Sequence, residues 1–335
     1  MSSIKKVVTF GEVMMRLAPP GHAKLSQTDS LNLTFGGGEA NVAISLAYFG
    51  LQAQHVTCFP QNTLGKSATQ FLRRHWVNTA KVKYSGNEIG IYFLEQGAVH
   101  RSSHVIYDRS YSAFAQADPT IYDWNEILKD ADWFHWTGIT PALSERSAQA
   151  TLDALGVAKD LGIMVSADLA LRKNLWKFSE DPIGSLQQLI EKTDVIIGGN
   201  RELAAIGEGE VDEPYRDLAS KVIDQFPNVK VIADKDRISK NASVNIIRGK
   251  LWNGHEEIIT EPLEVTHIID RVGTGDAFAA GLIYGLLEKA TQQEALNFAT
   301  AACALKHTIE GDANMVSVEE VDRLAGGDTS GRIIR

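Results

Sequence analysis

Cysteine is scarce: Cys58 and Cys303 are the only two in 335 residues. No disulfide framework can be built from them, and neither has companions at metal-site spacing, so a reducing compartment is expected. Basic charge is also in deficit, with 33 Lys and Arg against 42 Asp and Glu and a net charge of -9. That balance repels nucleic-acid phosphates and anionic membranes, so neither is expected as a partner. No apolar run is long enough to span a bilayer. The start, MSSIKKVVTFGEV, offers only the short run VVTF where a secretory signal needs a longer stretch. A cytoplasmic location and small-molecule partners are the expectation.

What is present suits one large core, with 44% hydrophobic and 22% charged residues. Strand-like runs alternate with helical ones: VVTF, then HVTCF before a helix near 66–76, and WFHWTG before one over 144–161. IMVSADLA, DVIIGG and VKVIAD follow. Such alternation predicts an α/β fold with a mostly parallel sheet covered by helices on both faces. Residues 90–109, GIYFLEQGAVHRSSHVIYDR, break the rhythm as two strand-like halves around a polar turn near 97–103. They read as a β-hairpin, either a lid or an ordinary edge. The two-residue period puts Tyr107 and Arg109 on one face of the second arm, and Tyr92 and Leu94 on one face of the first. The last ten residues, GGDTSGRIIR, read as a flexible tail.

Two glycine clusters carry the chemistry. In FGGGEANVAISLAYFG (35–50) a glycine turn feeds a helix that Gly50 ends as a left-handed cap. In DRVGTGDAFAAG (270–281) Gly273 and Gly275 bracket a turn, with a small-residue helix starting at about Asp276. Crowded backbone N–H groups and the positive end of a helix dipole make such a turn an anion site, suited to a transferring phosphoryl group. The same field is expected to keep a carboxylate there ionised. Asp276 is placed to take the proton of an attacking hydroxyl, although an aspartate at a helix start also serves as a plain N-cap. Arg16, Arg73 and Arg74 read as surface charges. His135 and His307 lack metal-ligand companions and read as structural.

Both glycine segments resemble the N- and C-terminal signatures of the PfkB (ribokinase-like) carbohydrate kinases, in the right order and over essentially the whole chain. The resemblance implies a ribokinase-like three-layer α/β/α sandwich with a small β-sheet lid. The chain would form one domain over 1–325, its lid drawn from about 12–35 and 88–110, followed by the tail 326–335. It also implies ATP and Mg²⁺ as cofactors, Asp276 as the base, the turn Gly273, Thr274 and Gly275 around the phosphoryl group, and a homodimer formed through the lid. Within the family, GGGEAN (36–41), VIYDRSYSAFA (105–115), WTGITPALS (136–144) and DLALRKNLW (168–176) are most similar to 2-keto-3-deoxygluconate kinases. By that similarity Gly37, Asn41, Tyr92, Tyr107, Arg109 and Arg172 line a sugar-acid site.

The nucleotide half departs from the family pattern. The family's Asn-x-x-Glu motif falls at IIGGNRELAAI, with Asn200 and Glu202 one position too close; both are carried over as cofactor contacts and Glu202 as the metal-side acid. A Gly-x-x-Gly turn over the nucleotide is replaced by VIADKDRISKNAS (231–243), where Lys235 or Arg237 would meet phosphates as charges or sit in a solvated turn. Thr300 stands where relatives often have an asparagine near the adenine. On the substrate side, Ala170 replaces an asparagine between Asp168 and Arg172. The expected reaction is phosphorylation of 2-keto-3-deoxygluconate to its 6-phosphate. Alternatives are a fructokinase- or ribokinase-type enzyme for a neutral sugar, or a non-catalytic sensor on the same fold. A dinucleotide-binding loop is disfavoured, because FGGGEAN lacks the G-x-G-x-x-G spacing.

Overall fold

A computed structural model describes residues 4–332. Its strands are β1 (Lys6–Phe10), β2 (Met14–Ala18), β3 (Asn32–Gly36), β4 (Gln52–Val56), β5 (Cys58–Phe59), β6 (Lys83–Tyr84), β7 (Ile91–Glu95) and β8 (His104–Asp108). They continue as β9 (Trp133–Thr137), β10 (Met164–Asp168), β11 (Val195–Ile197), β12 (Val231–Asn241), β13 (Val244–Trp252), β14 (Glu257–Ile259) and β15 (Leu263–Val265). The central sheet runs β14-β13-β12-β11-β10-β9-β1-β4, with β15 also on β13. It is parallel from β12 to β4 and antiparallel at the β12–β13–β14 edge.

Strand alternation divides the apolar residues into two cores, one on each face. Val7, Trp133, Val195 and Val231 point to one, with the helices Gly38–Tyr48, Thr274–Glu288 and Gln292–Lys306. Val8, Phe134, Ile196 and Ile232 point to the other, with Glu145–Asp160, Pro182–Ile190 and Tyr215–Gln225. The result is the expected three-layer sandwich. Its tightest seam joins the helices Thr274–Glu288 and Gln292–Lys306. A Cβ on Gly281 would come within 2.7 Å of Ala299 Cα, and one on Gly285 within 2.5 Å of Ala295 Cα. No helix among the described residues is long and apolar enough to cross a membrane.

A separate four-stranded sheet, β3-β2-β7-β8, stands beside the sandwich. The segment 90–109 forms the antiparallel hairpin β7–β8, with Tyr92 directly opposite Tyr107. Its arms differ: β7 buries Tyr92 and Leu94, whereas every residue of β8 is exposed. Gly50 (φ 84°) ends the Gly38–Tyr48 helix as expected. Residues 328–332 carry no helix or strand, and 333–335 of the expected tail lie outside the described residues.

Three readings are corrected. Arg16 is no surface charge: it is 3% exposed and paired with Asp270 and Asp312. The supposed turn at 235–237 lies inside β12, which pairs with β13 as far as Asn241. Charged residues are tolerated there because Asp236 meets Arg248 and Lys250 across the strands. The C-terminal glycine turn feeds its helix at Thr274, two residues before Asp276.

Candidate active site

The parallel strands deliver their C-terminal ends to one edge of the sandwich, where open α/β sheets place ligands. Both glycine clusters arrive there. Gly37 caps the Gly38–Tyr48 helix, and Gly273, in the left-handed region at φ 79°, caps Thr274–Glu288. A side chain at Gly273 would be strained and would also strike the carbonyl of Asp312. A Cβ on Gly37 would strike the carbonyl of Glu12.

Asp276 and Asn41, 235 residues apart, meet in a 2.7 Å hydrogen bond from Asn41 Nδ2 to Asp276 Oδ2. The plain-cap reading of Asp276 fails, because Gly273 is the N-cap and the carboxylate bonds to another helix. Its expected charge state is corrected too. Burial pushes Asp276 from its ordinary 3.8 up to about 7; the Asn41 bond opposes the rise, and Asp168, Asp312 and Glu39 add to it. Desolvation and like charge outweigh the helix field here. Thr274 is buried, with its hydroxyl bonded to the Arg271 carbonyl, while the position of a Cβ on Gly275 faces Lys235 Nζ at 3.5 Å.

Glu39, in the first turn of the Gly38–Tyr48 helix, was missed by sequence reasoning. Its Oε1 accepts bonds from the Thr137 hydroxyl (2.8 Å) and the Thr140 hydroxyl (2.5 Å), fastening that helix to the end of β9. Nothing marks it locally beyond an acid in a first turn.

A cavity of about 920 Å³ opens between β8, the loop after β10 and the Asn200–Ile206 helix. Tyr107, Arg109 and Arg172 line it, together with Arg201, which the sequence reading did not single out; Gly37, Asn41 and Asp276 are not among its lining residues. Arg109 also bonds through Nε to the buried Glu12 at 2.6 Å. Tyr92 does not line this cavity. Its hydroxyl, buried, donates to Asp312 Oδ2 at 2.5 Å.

On the nucleotide side, Lys235 lies among Asp168, Asp234 and Asp276; burial alone would lower its pKa, but these carboxylates hold it above the ordinary value. Arg237, two residues on along β12, lines a second cavity of about 570 Å³ with Arg101, Lys240 and Arg271. Glu202 and Asp234 flank Gly199: a Cβ there would sit 2.9 Å from Asp234 Oδ2 and 3.5 Å from Glu202 Oε2. Two further positions are corrected. Asn200 spends its amide on the carbonyls of Val211 and Glu213. Thr300 is fully buried, and its hydroxyl bonds to Leu296 of its own helix.

His135 and His307 are buried and hydrogen-bonded, to Ser166 and to the Cys303 carbonyl. Burial lowers them to about 3 and about 4, so they stay neutral as expected of structural histidines. Among the described residues no group of three or more His, Cys, Asp or Glu is arranged to hold a metal.

Known proteins share this fold. A solved 2-dehydro-3-deoxygluconokinase from Thermotoga maritima is 41% identical, with a TM-score of 0.91 over 97% of this chain and 99% of that one. A PfkB family carbohydrate kinase from Listeria grayi is 35% identical, with a TM-score of 0.92 over 96% of this chain and 100% of its own. A 2-dehydro-3-deoxygalactonokinase from Haloferax volcanii is 33% identical over 96% of this chain and 98% of that protein. The pfkB family carbohydrate kinase model matches residues 4–318. By the glycine turns, the sandwich and these matches, the chain belongs to the pfkB family and is a carbohydrate kinase.

Proposed function

We propose that this kinase transfers the γ-phosphoryl group of ATP to the terminal hydroxyl of a 2-keto-3-deoxy sugar acid, 2-keto-3-deoxygluconate first among them. The observation that carries the reading is the Asn41–Asp276 bond, which joins the two glycine turns at one carboxylate. Asp276 takes the hydroxyl proton as the oxygen bonds to the γ-phosphorus and the bond to the ADP oxygen breaks. The N–H groups of Gly273, Thr274 and Gly275, with Lys235 behind them, stabilise the phosphoryl charge. Arg172 and the unspent donors of Arg109 suit a carboxylate, and Tyr107 an adjacent oxygen.

Mg²⁺ takes one or two protein carboxylates and completes its shell with water and phosphate oxygens. Glu202 and Asp234, kept together by the missing side chain of Gly199, fit that role. The ion would supply charge neutralisation to the phosphates. The sheet β3-β2-β7-β8 acts as a lid that keeps water from the phosphoryl group. Two buried thiols support a reducing, cytoplasmic setting.

The Haloferax volcanii relative favours a second reading, in which the galactonate epimer is the better substrate. An ADP-release assay over both keto-deoxy acids, ribose and fructose tests both readings. One of the acids is expected to give the highest kcat/KM. Faster turnover of ribose or fructose than of either acid would sink the substrate assignment.

A further inference from the structure

Glu39 is 3% exposed. Its Oε1 gathers three neutral donors from the end of β9: the Thr137 N–H (3.2 Å), the Thr137 hydroxyl (2.8 Å) and the Thr140 hydroxyl (2.5 Å). Oε2 fills a slot just after β1 that is open because Gly11 has no side chain; a Cβ there would strike it. Arg109, the cation whose charge reaches Glu39, is already paired with Glu12. Burying a carboxylate against neutral donors costs stability, so its place calls for another reason.

That reason lies in what the same helical turn touches. A Cβ on Gly38 would sit 3.5 Å from Thr137 Cγ2 and 3.6 Å from Asp276 Oδ1, so the turn is a single layer between β9 and the carboxylate. Two residues past Glu39, Asn41 donates to Asp276 Oδ2 at 2.7 Å. We infer that Glu39 is a positioning residue: by tying the first turn of the Gly38–Tyr48 helix to Thr137 and Thr140 it sets where Asn41 stands, and through Asn41 how Asp276 faces the phosphoryl group. The inference rests on the proposed phosphotransfer. Displacing a reacting group by about 1 Å costs on the order of 100-fold in rate. A slackened turn therefore acts on kcat, and only as far as Asn41 transmits it.

The test uses the full chain with MgATP and 2-keto-3-deoxygluconate, with rates normalised to the folded fraction from thermal melts. Glu39→Ala is expected to lower kcat about 100-fold with both KM values unchanged. Glu39→Gln keeps an acceptor for the threonines and is expected to recover most of that loss. Introduced into Asn41→Ala, Glu39→Ala is expected to cost less than about twofold more, because the link it works through is gone. Glu39→Gln also removes a like charge while Asp168, Asp312, Lys235 and Lys306 still act on Asp276, so the acid limb of its kcat/KM profile should move to lower pH. Losses that simply multiply in the double variant overturn the inference, as does a Glu39→Ala kcat within about twofold of wild type. A rise in the sugar-acid KM at constant kcat overturns it by making Glu39 a substrate contact. An unmoved acid limb overturns it too, by placing Glu39 out of reach of Asp276. Should Glu39→Ala fail to fold, Thr140→Val goes through the same cycle, with about fivefold lost in the wild-type chain and none on Asn41→Ala. A wild-type chain inactive on every sugar acid overturns the proposed function, whereas contrary variant ratios in an active chain overturn this inference alone.

Discussion

The carboxyl of Asp276 is held near neutrality by lost hydration and by three acidic neighbours, and a general base works best with a pKa close to the working pH. Only the ionised form accepts a proton, so kcat/KM should rise with pH and level off above about 7. A profile flat down to pH 5 would remove Asp276 from the base role. The raised value also has a cost in stability. The folded state binds this proton more tightly than the unfolded chain, so stability falls as pH rises from 3.8 to about 7 and stays reduced above it. Asp276→Asn should therefore abolish turnover while raising the melting temperature at pH 8 and leaving it unchanged at pH 4, as differential scanning calorimetry would show. Asp276 and Asn41 were legible because each follows a glycine turn in its own segment. Arg16 was not, since its partners lie 254 and 296 residues away and a lone arginine in a strand resembles a solvated one. The charge on Asp276 was misread because its burial, and the carboxylates of Asp168, Asp312 and Glu39 around it, arise only when distant segments pack together.

Elements of the two halves differ in how they use charge. The loop after β10 leaves Arg172 exposed on the cavity, whereas Arg109 beyond β8 is tied to Glu12, whose side chain is 2% exposed. Arg172→Ala should raise the sugar-acid KM tenfold or more, on the scale of about 1.5–3 kcal/mol for a charged hydrogen bond, with little loss of stability. Arg109→Ala should also lower the unfolding free energy by about 3–5 kcal/mol in urea titrations, because Glu12 would stay buried without its partner. Equal stability of the two variants would contradict the geometry. The hairpin β7–β8 was readable from strand period and turn residues alone. The length of β12 was not, because the charges that look like a turn are matched by Arg248 and Lys250 on β13, beyond any local window.

At the scale of the whole molecule, the small sheet turns Leu33 and Ile106 outward on one face, both well exposed. With β8 at its edge, such a face invites pairing, which supports a homodimer built through the lid. Sedimentation should find a dimer at micromolar concentration, and Leu33→Asp with Ile106→Asp should convert it to monomer. A monomeric wild type would sink the dimer. The sandwich itself was legible from alternating runs, because burial on both faces of a parallel sheet leaves continuous apolar strands. The seam between the helices Thr274–Glu288 and Gln292–Lys306 bears on redesign. Gly281 and Gly285 leave no room for even a methyl group against Ala299 and Ala295. Mutagenic libraries aimed at new acceptors therefore have latitude around Arg172 and Arg201, but should spare these backbone contacts. Bulk added there would push apart the helix pair that carries Asp276, so the seam bounds how far this scaffold can be evolved.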